Sequence, residues 1–213
     1  YELDGIVIKA NDFELQKKLG ELSRSPRWAV AYKFPPQQET TKIKDIIVNV
    51  GRTGAVTPVA LLEPVRVGGV EISRATLHNE DEINKKDVRI GDTVLVQRAG
   101  DVIPEVVMVI KNKRTGKEKK FVFPDRCPVC GSKVERPAGE SAHRCTRIAC
   151  PAQLKERISH FACKGGMDIE GLGYKFIEQM VDLGMVKDPA DLYYLTEKDL
   201  LDKMERMGPK LAE

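Results

Sequence analysis

The pattern of apolar and polar positions changes twice along the chain, which predicts three regions of different structure. At the start, short apolar runs with polar ends predict strands over residues 1–10 and 28–34, with a polar helix over 12–22 between them. Three adjacent apolar residues make the first strand a buried one. The proline pair at 35–36 ends the second strand, because proline cannot donate to a strand ladder.

From residue 40 to about residue 120 the pattern becomes one of short β-runs separated by glycines. Asn79 predicts the start of a short helix between the third and fourth runs. Five strands with a helix in that place follow the order of an OB-fold barrel, a common platform for nucleic acid. A small barrel without a ligand is the alternative. The predicted strands are 43–50, 57–65, 69–77, 93–98 and 102–110, with turns at Gly51, Gly54, Gly68-Gly69, Gly91 and Gly100.

The last sixty or so residues have a helical pattern. Residues 151–161 predict an amphipathic helix that places Leu154, Ile158 and Phe161 on one face. Further along, Thr196 followed by Asp199 predicts the start of another helix through a capping box.

Two segments of this region, 171–173 and 207–208, place a glycine directly before a helix. A glycine-tight hairpin leaves backbone N–H groups exposed at the start of the second helix, where a phosphate binds favourably. The pattern therefore indicates helix-hairpin-helix contacts to a DNA backbone. An ordinary packing hairpin with glycine as a cap is the alternative.

Four cysteines are spaced by two, fourteen and four residues, as in sites that bind Zn²⁺ through four thiolates. Two disulfides in a secreted domain are the alternative. Four thiolates leave no open position for a reactive water, so the metal is expected to be structural. A fifth cysteine, Cys163, is predicted to be free, small and buried. The four predicted ligands are Cys127, Cys130, Cys145 and Cys150.

The chain has 213 residues, a net charge of +3 and no apolar run near the roughly 20 residues that span a bilayer. We therefore expect a reducing, intracellular location and no membrane partner. Residues 111–120 carry six basic residues and one Glu, which indicates either phosphate contact or a solvated hairpin. Because the chain opens on a strand pattern and not on a methionine, we expect a fragment of a longer protein.

Five segments in a fixed order resemble the NAD⁺-dependent DNA ligases of bacteria, over essentially the whole chain. The first two resemble nucleotidyltransferase motifs IV and V, and the next two resemble the most characteristic parts of the OB domain of that family. The segments are YELDGIVIK, WAVAYKFP, NVGRTGAVTPVA, LVQRAGDVIPEV and the cysteine run with the GLG helices that follow it.

The resemblance implies a multidomain fold. Residues 1–36 would be the C-terminal part of an α+β adenylation (nucleotidyltransferase) domain, and 37–121 a five-stranded OB-fold β-barrel. Residues 122–151 would be a four-cysteine zinc finger, and 152–213 a truncated α-helical helix-hairpin-helix region.

The resemblance also implies that Lys9 and Lys33 bind the nucleotide at its α-phosphate, with Val7 and Asp4 as the other matching positions. An ammonium on an apolar strand is costly to bury without an anionic partner, which agrees with that role. Asp4 would lie near the phosphates and position Mg²⁺ or a lysine. The alternatives are lysines that reach solvent and an Asp-Gly turn.

Further residues match positions that face the nicked duplex in this family. Arginine supplies a fork suited to phosphate, and a Val-Ile pair supplies an apolar wedge for the minor groove. Adjacent strand residues face opposite sides, so one member of that pair could belong to the barrel core. The predicted DNA contacts are Arg52, Thr53, Arg98, Val102 and Ile103, together with Gly171, Gly173 and Lys175 of the GLG hairpin.

Members of the family seal 5′-phosphate/3′-hydroxyl nicks in replication and repair. A lysine takes AMP from NAD⁺, AMP moves to the 5′-phosphate, and the 3′-hydroxyl displaces it, with Mg²⁺ or Mn²⁺. The nucleophile lies in a Lys-x-Asp-Gly motif, but the nearest string here has Glu2 in place of the lysine. We expect a ligase as the parent, inactivity of the chain alone, and a monomer in the bacterial cytoplasm, associated with the nucleoid.

Two other functions compete with this one. A non-enzymatic DNA-binding module would have no need of motifs IV and V before its OB domain. An ATP-dependent ligase or an RNA-capping enzyme shares the adenylation and OB layout, but the cysteine run followed by helical hairpins argues against both.

Overall fold

The computed structural model describes Leu3, residues 5–98 and residues 103–213. Asp4, Val102 and the turn predicted at Gly100 lie outside the described residues. The chain divides into two compact units, and two long strands contribute to both of them. The first unit comprises Tyr1–Asp45, Ala60–Thr76 and Arg89–Lys119, and the second comprises Ile46–Val59, Leu77–Val88 and Lys120–Glu213.

The secondary structure follows the predicted order of strands, a short helix, and then helices. The strands are β1 (Gly5–Lys9), β2 (Glu21–Leu22), β3 (Ser25–Pro26), β4 (Ala29–Lys33), β5 (Gln37–Val50), β6 (Ala55–Val67), β7 (Val70–Thr76), β8 (Arg89–Ile90), β9 (Thr93–Arg98), β10 (Glu105–Val109), β11 (Lys119–Lys120), β12 (Val134–Glu135) and β13 (His143–Cys145). The helices are α1 (Phe13–Leu19), α2 (Glu80–Lys86), α3 (Pro151–Ala162), α4 (Tyr174–Asp182), α5 (Glu197–Lys203) and α6 (Pro209–Ala212), with 3₁₀ turns at Lys111–Lys113 and Pro189–Tyr194.

In the first unit, β1 and β4 form an antiparallel two-stranded sheet. The prediction that β1 is buried is wrong, because Ile6 and Ile8 are exposed and β1 pairs only with β4 among the described residues. The helix between the strands is shorter than predicted. It begins after its cap Asp12 and ends at Gly20, whose positive φ of 69° breaks the helical course.

Strands β5, β6, β7, β9 and β10 form a closed five-stranded barrel, as predicted. Its strand order is β6-β5-β9-β10-β7, and β7 pairs back to β6. β5 starts six residues earlier than predicted, because the polar segment from Gln37 pairs with β9 as far as the partners Gln37 and Arg98. Backbone pairing extends a strand where the hydrophobic pattern gives no signal. The interior is filled by Ile43, Ala60, Leu62, Val67, Ile72, Ala75, Val94, Val96, Val106 and Val109.

A buried ion pair fastens the basic run to the barrel. The Asp92 carboxylate has no exposed surface and accepts hydrogen bonds from Nε and Nη2 of Arg114 at 2.7 and 2.9 Å. It also accepts one from the Arg89 amide at 2.7 Å. A bidentate pair of this kind satisfies a charge that would otherwise be expensive to bury.

The second unit has two apolar clusters. The first lies around the cysteines, and the second joins α3 and α4 to the turns that follow them. Of the predicted helix face, Ile158 and Leu154 belong to the second cluster, whereas Phe161 lies outside it and its ring contacts that of Tyr193. Lys155 of α3 forms ion pairs with Glu178 and Asp182 of α4. The cluster around the cysteines contains Val50, Val56, Phe123, Cys127, Val134, Cys145 and Cys150, and that of the helices contains Ile158, Ile177, Met180, Val186 and Met204.

Both predicted helix caps are present in the second unit. The Asn79 side chain accepts the Glu82 amide at 2.8 Å, and the Thr196 hydroxyl accepts the Asp199 amide at 3.1 Å. The Thr196 hydroxyl also donates to the Asp199 carboxylate at 2.6 Å. A reciprocal capping box occurs instead at the 3₁₀ turn, between Asp188 and Asp191.

We expect Arg114→Met to lower the free energy of unfolding by about 3 kcal/mol, because it leaves the buried Asp92 carboxylate without its cation. Lys117→Met, an exposed position in the same basic run, is the matched control and should change stability by less than about 0.5 kcal/mol. Urea unfolding followed by circular dichroism measures both. Equal stability of the two variants would contradict a stabilising role for the pair.

Candidate metal centre and nucleic-acid interface

The four predicted cysteine ligands converge on one point. Cys127 and Cys130 lie on a tight turn, in which the Gly131 amide donates to the Cys127 carbonyl at 2.9 Å and Gly131 has a φ of 69°. Cys145 ends β13, and Cys150 is the N-cap residue of α3. A turn, a strand end and a helix start therefore supply the four sulfurs.

The distances between the sulfurs fit a tetrahedral ion. The Sγ atoms of Cys127 and Cys150 are 3.9 Å apart, those of Cys130 and Cys145 are 3.5 Å apart, and all four lie within 4.8 Å of one another. A Zn–S bond of about 2.3 Å predicts tetrahedral S···S edges of about 3.8 Å. The donor set and its spacing fit Zn²⁺, and no disulfide joins these cysteines.

The surroundings of the cluster give its thiols different pKa values. Burial raises the pKa of the Cys145 thiol to about 12 and also raises that of Cys150. Burial opposes ionisation of Cys130 as well, but hydrogen bonds from the Ser132 side chain and backbone lower its pKa to about 6. Thiolates and not thiols bind a metal ion, so uptake of Zn²⁺ by this cluster would release protons and depend on pH.

The prediction that Cys163 is buried is wrong. It is exposed, because it follows the last residue of α3 as the C-cap residue, and its thiol donates to the His160 carbonyl at 3.1 Å. It is not one of the four clustered sulfurs.

The predicted nucleotide lysines lie on one face of the β1–β4 sheet. Lys9 pairs with Ala29, and Lys33 pairs with Gly5, so the two lysines stand at opposite ends of the same face, about 13 Å apart along the strands. Val7 and its partner Ala31 lie between them. A Cβ atom on Gly5 would overlap the Tyr32 carbonyl, so glycine is required for this close pairing.

The opposite face of this sheet has a different chemistry. It presents large apolar side chains that are exposed in the part of the chain the structure describes. One face therefore offers two cations and small residues, and the other offers an apolar surface. The apolar residues are Ile6, Ile8, Val30 and Tyr32.

The predicted DNA contacts of the barrel region occur in both units. Arg52 and Thr53 are exposed on the turn between β5 and β6, in the second unit. Arg98 ends β9 in the first unit and is partly exposed, and Ile103, also in the first unit, is 73% exposed. Ile103 is therefore not a core residue.

The basic run is a folded turn in which one arginine points to the barrel and the lysines are exposed. Arg114 turns inward to Asp92, and the Glu118 carboxylate accepts hydrogen bonds from the Thr115 amide and hydroxyl and from the Gly116 amide. Those bonds, led by the one from the Thr115 amide, lower the pKa of Glu118 to about 2. The five lysines are exposed: Lys111, Lys113, Lys117, Lys119 and Lys120.

The GLG hairpin forms the predicted start of a helix. Gly171 has a φ of 81°, the Gly173 amide donates to the Gly171 carbonyl at 2.9 Å, and Gly173 is the N-cap residue of α4. Lys175 lies exposed in the first turn of α4. The second predicted glycine, Gly208, is the N-cap residue of α6.

Comparison with known protein families assigns the regions of the chain. Residues 1–37 match the NAD-dependent DNA ligase adenylation domain, residues 40–118 the NAD-dependent DNA ligase OB-fold domain, and residues 126–152 the NAD-dependent DNA ligase C4 zinc finger domain. The chain belongs to the NAD-dependent DNA ligase family. The four clustered cysteines lie in the segment that matches the C4 zinc finger domain, and the sheet with the two lysines lies in the segment that matches the adenylation domain.

Curated relatives support the same assignment. The chain is 65% identical to a DNA ligase of Syntrophus aciditrophicus over 210 residues, 61% identical to one of Trichlorobacter lovleyi over 214, and 60% identical to one of Pelotomaculum thermopropionicum over 212. The matches cover 99–100% of the chain and 31% of each relative. The chain therefore spans about a third of the length of these ligases. No helix of the described residues is both long and apolar enough to cross a membrane.

Two residues of the metal centre were missed by the sequence analysis. Ser132 supplies the hydrogen bonds that lower the pKa of Cys130, and Gln153 donates from Nε2 to the carbonyls of Cys145 and Arg147 at 3.2 and 3.1 Å. Their closeness to the cysteines in the sequence is a partial signal of their roles. Ser132 follows the first cysteine pair by two residues, and Gln153 follows the second pair by three.

We expect one zinc ion per purified chain. Cys127→Ser should lose most of the zinc, because it removes a thiolate from a four-ligand set, whereas Cys163→Ser should keep one equivalent. Elemental analysis of the two proteins measures this difference. Full zinc in the Cys127→Ser protein, or none in the wild type, would refute the assignment of the ligands.

Proposed function

We propose that this chain is the part of an NAD⁺-dependent DNA ligase that holds nicked duplex DNA and contributes phosphate-binding lysines to the adenylation site. The complete enzyme would seal 5′-phosphate/3′-hydroxyl nicks in replication and repair, through enzyme-adenylate and DNA-adenylate intermediates. The observation that carries the proposal is the order of three matched ligase domains along one chain.

The face that carries Lys9 and Lys33 would bind the nucleotide. Two ammonium groups flank a strip of small residues, so a planar base or ribose can approach the sheet while the lysines reach phosphate oxygens. Val7 would supply apolar contact in the middle of the strip. Asp4 would position Mg²⁺ or Mn²⁺, or a lysine, near the phosphates.

Four sets of groups would contact the DNA backbone and minor groove. They are the Arg52-Thr53 turn, Arg98 with the wedge of Val102 and Ile103, the five exposed lysines of the basic run, and the GLG hairpin with Lys175. The hairpin would act through the N–H groups of the first turn of α4 as one element of a helix-hairpin-helix clamp. All these contacts are to phosphate or minor groove, so binding would have little sequence preference.

The zinc site would act as a structural centre. Cys127, Cys130, Cys145 and Cys150 would occupy all four positions of a tetrahedral Zn²⁺ and leave none for a substrate or a reactive water. We also propose that the ligase is a monomer that works in the bacterial cytoplasm in association with the nucleoid.

We expect the chain to bind nicked or intact duplex DNA with an affinity that falls steeply as salt rises, because its contacts release counterions from phosphates. Arg98→Ala should weaken binding about equally on duplexes of unrelated sequence and reduce the log–log salt slope by about 1. Fluorescence anisotropy at several salt concentrations measures both effects.

Lys18→Ala, in the exposed surface of α1, is the control for this experiment and should bind like the wild type. Strong discrimination between two duplexes that differ only in base order would contradict backbone recognition.

We expect the chain alone to form no covalent adenylate with NAD⁺, because none of its lysines lies in a Lys-x-Asp-Gly motif. In the full-length ligase, Lys9→Ala and Lys33→Ala should each lower turnover by about 10²–10³-fold, the effect of losing a preorganised donor to a reacting phosphate. Nick sealing and transfer of labelled AMP measure these changes, with Lys18→Ala as the control. Labelled AMP on the chain itself, or wild-type turnover in the Lys33→Ala ligase, would place the adenylation site elsewhere.

A further inference from the structure

The cysteine cluster contacts the Arg52-Thr53 turn directly, through the backbone. β13 pairs antiparallel with β6, with Arg144 opposite Ala55, and the Cys145 amide donates to the Gly54 carbonyl at 2.8 Å. A metal ligand is thus hydrogen-bonded through its own N–H group to the last residue of the turn. The turn is closed on its other side by the Gly54 amide, which donates to the Gly51 carbonyl at 2.9 Å.

Gly54 fits closely between two groups of the metal centre. Its φ is 80°, and a Cβ atom there would lie 2.8 Å from the Cys145 carbonyl oxygen and 2.9 Å from Nε2 of Gln153. Both distances are too short for any side chain. The turn and the cysteine cluster therefore share one close-packed contact that only glycine allows.

Gln153 fixes the cluster side of this contact. It is 6% exposed, and its Nε2 atom donates to the carbonyls of both Cys145 and Arg147. It lies three residues beyond the second cysteine pair, on the helix that Cys150 caps. A buried amide with two backbone acceptors is an expensive group to replace, because both carbonyls would lose their donor.

Arg144 holds the Arg52-Thr53 turn on the other side of this contact. Its Nη1 atom donates to the carbonyl and the hydroxyl of Thr53 at 3.3 and 3.1 Å, while Nε and Nη2 donate to the Glu140 carboxylate at 2.9 and 2.8 Å. The guanidinium fork therefore bridges a loop of the zinc region and the turn that precedes β6. A lysine could satisfy only one end of this bridge.

We infer that Arg144 and Gln153 are positioning residues, through which the metal centre holds the Arg52-Thr53 turn in the conformation that contacts DNA. The inference rests on the proposed DNA-binding function. The zinc site would then stabilise more than its own loops. Ordering of the four cysteines holds Cys145 and Gln153 in place, and these two residues hold Gly54 and the turn in place. Arg144 holds the hydroxyl and carbonyl of Thr53 at the same time.

The first test uses Gln153→Met, a change of similar volume in a side chain too buried to contact DNA. We expect it to keep one zinc per chain, to raise amide hydrogen exchange at Gly51 and Gly54, and to weaken duplex binding about tenfold. Gln16→Met is the matched control, because Gln16 also donates from Nε2 to a backbone carbonyl, that of Ala10. The control should change neither exchange at the turn nor DNA affinity.

The second test uses Arg144, whose side chain is 36% exposed. Arg144→Lys keeps the positive charge but loses the bridge, so we expect about fivefold weaker binding with an unchanged salt slope. Wild-type duplex affinity in the Arg144→Lys protein would overturn the positioning role of Arg144. So would a loss of affinity in an Arg144→Met protein that is fully explained by a reduced salt slope, because Arg144 would then be a direct phosphate contact.

The third test removes zinc from the wild-type chain with a chelator and follows the same two turn amides. We expect their exchange to rise before the barrel amides begin to exchange. Unchanged exchange at Gly51 and Gly54, or wild-type binding by Gln153→Met, would overturn the inference while leaving the proposed function standing. A wild-type chain that does not bind duplex DNA would refute the proposed function, and the inference with it.

Discussion

The convergence of four thiol groups in the second unit is the constraint on which its β-structure depends. The apolar cluster around the cysteines is small, and three of its seven buried members are cysteines themselves. A core of this size gives little stabilisation from burial alone, so the free energy of metal binding becomes free energy of folding. Because Cys145 lies in β13 and β13 pairs with β6, that stabilisation reaches the turn at Gly54 through backbone hydrogen bonds.

The sheet of β1 and β4 shows how strand alternation separates two kinds of side chain. Register places Lys9 and Lys33 on one face and Ile8 with Val30 on the other, so a single pair of strands presents cations on one side and apolar side chains on the other. A shift of one residue in the register of β4 would move Lys33 to the apolar face. Gly5 protects the register, because its missing Cβ permits the close approach of the Tyr32 carbonyl.

Local chemistry made much of this architecture predictable, and long-range contacts account for the rest. The cysteine spacing identified four residues that converge, Asn79 and Thr196 identified two helix starts, and glycine positions separated the strands of the barrel. The extension of β5 to Gln37 was not predictable from its polar residues, because only pairing with β9 makes it a strand. The exposure of Cys163 depends on where α3 ends, and the roles of Arg144 and Gln153 depend on a turn about 90 residues earlier in the chain.

The basic run shows why a count of charges could not decide its role. Six basic residues and one Glu in ten positions fit a solvated hairpin as well as a phosphate-binding surface. The fold uses two of these charges locally, because Arg114 neutralises a fully buried Asp92 and the partly exposed Glu118 carboxylate accepts hydrogen bonds from the amides of its own turn. The other charges of the run are its five exposed lysines. A flexible solvated hairpin needs no buried anchor, whereas a surface that must present lysines at fixed places does. The Asp92–Arg114 pair anchors the run to the barrel, and phosphate contact stays the role proposed for its lysines.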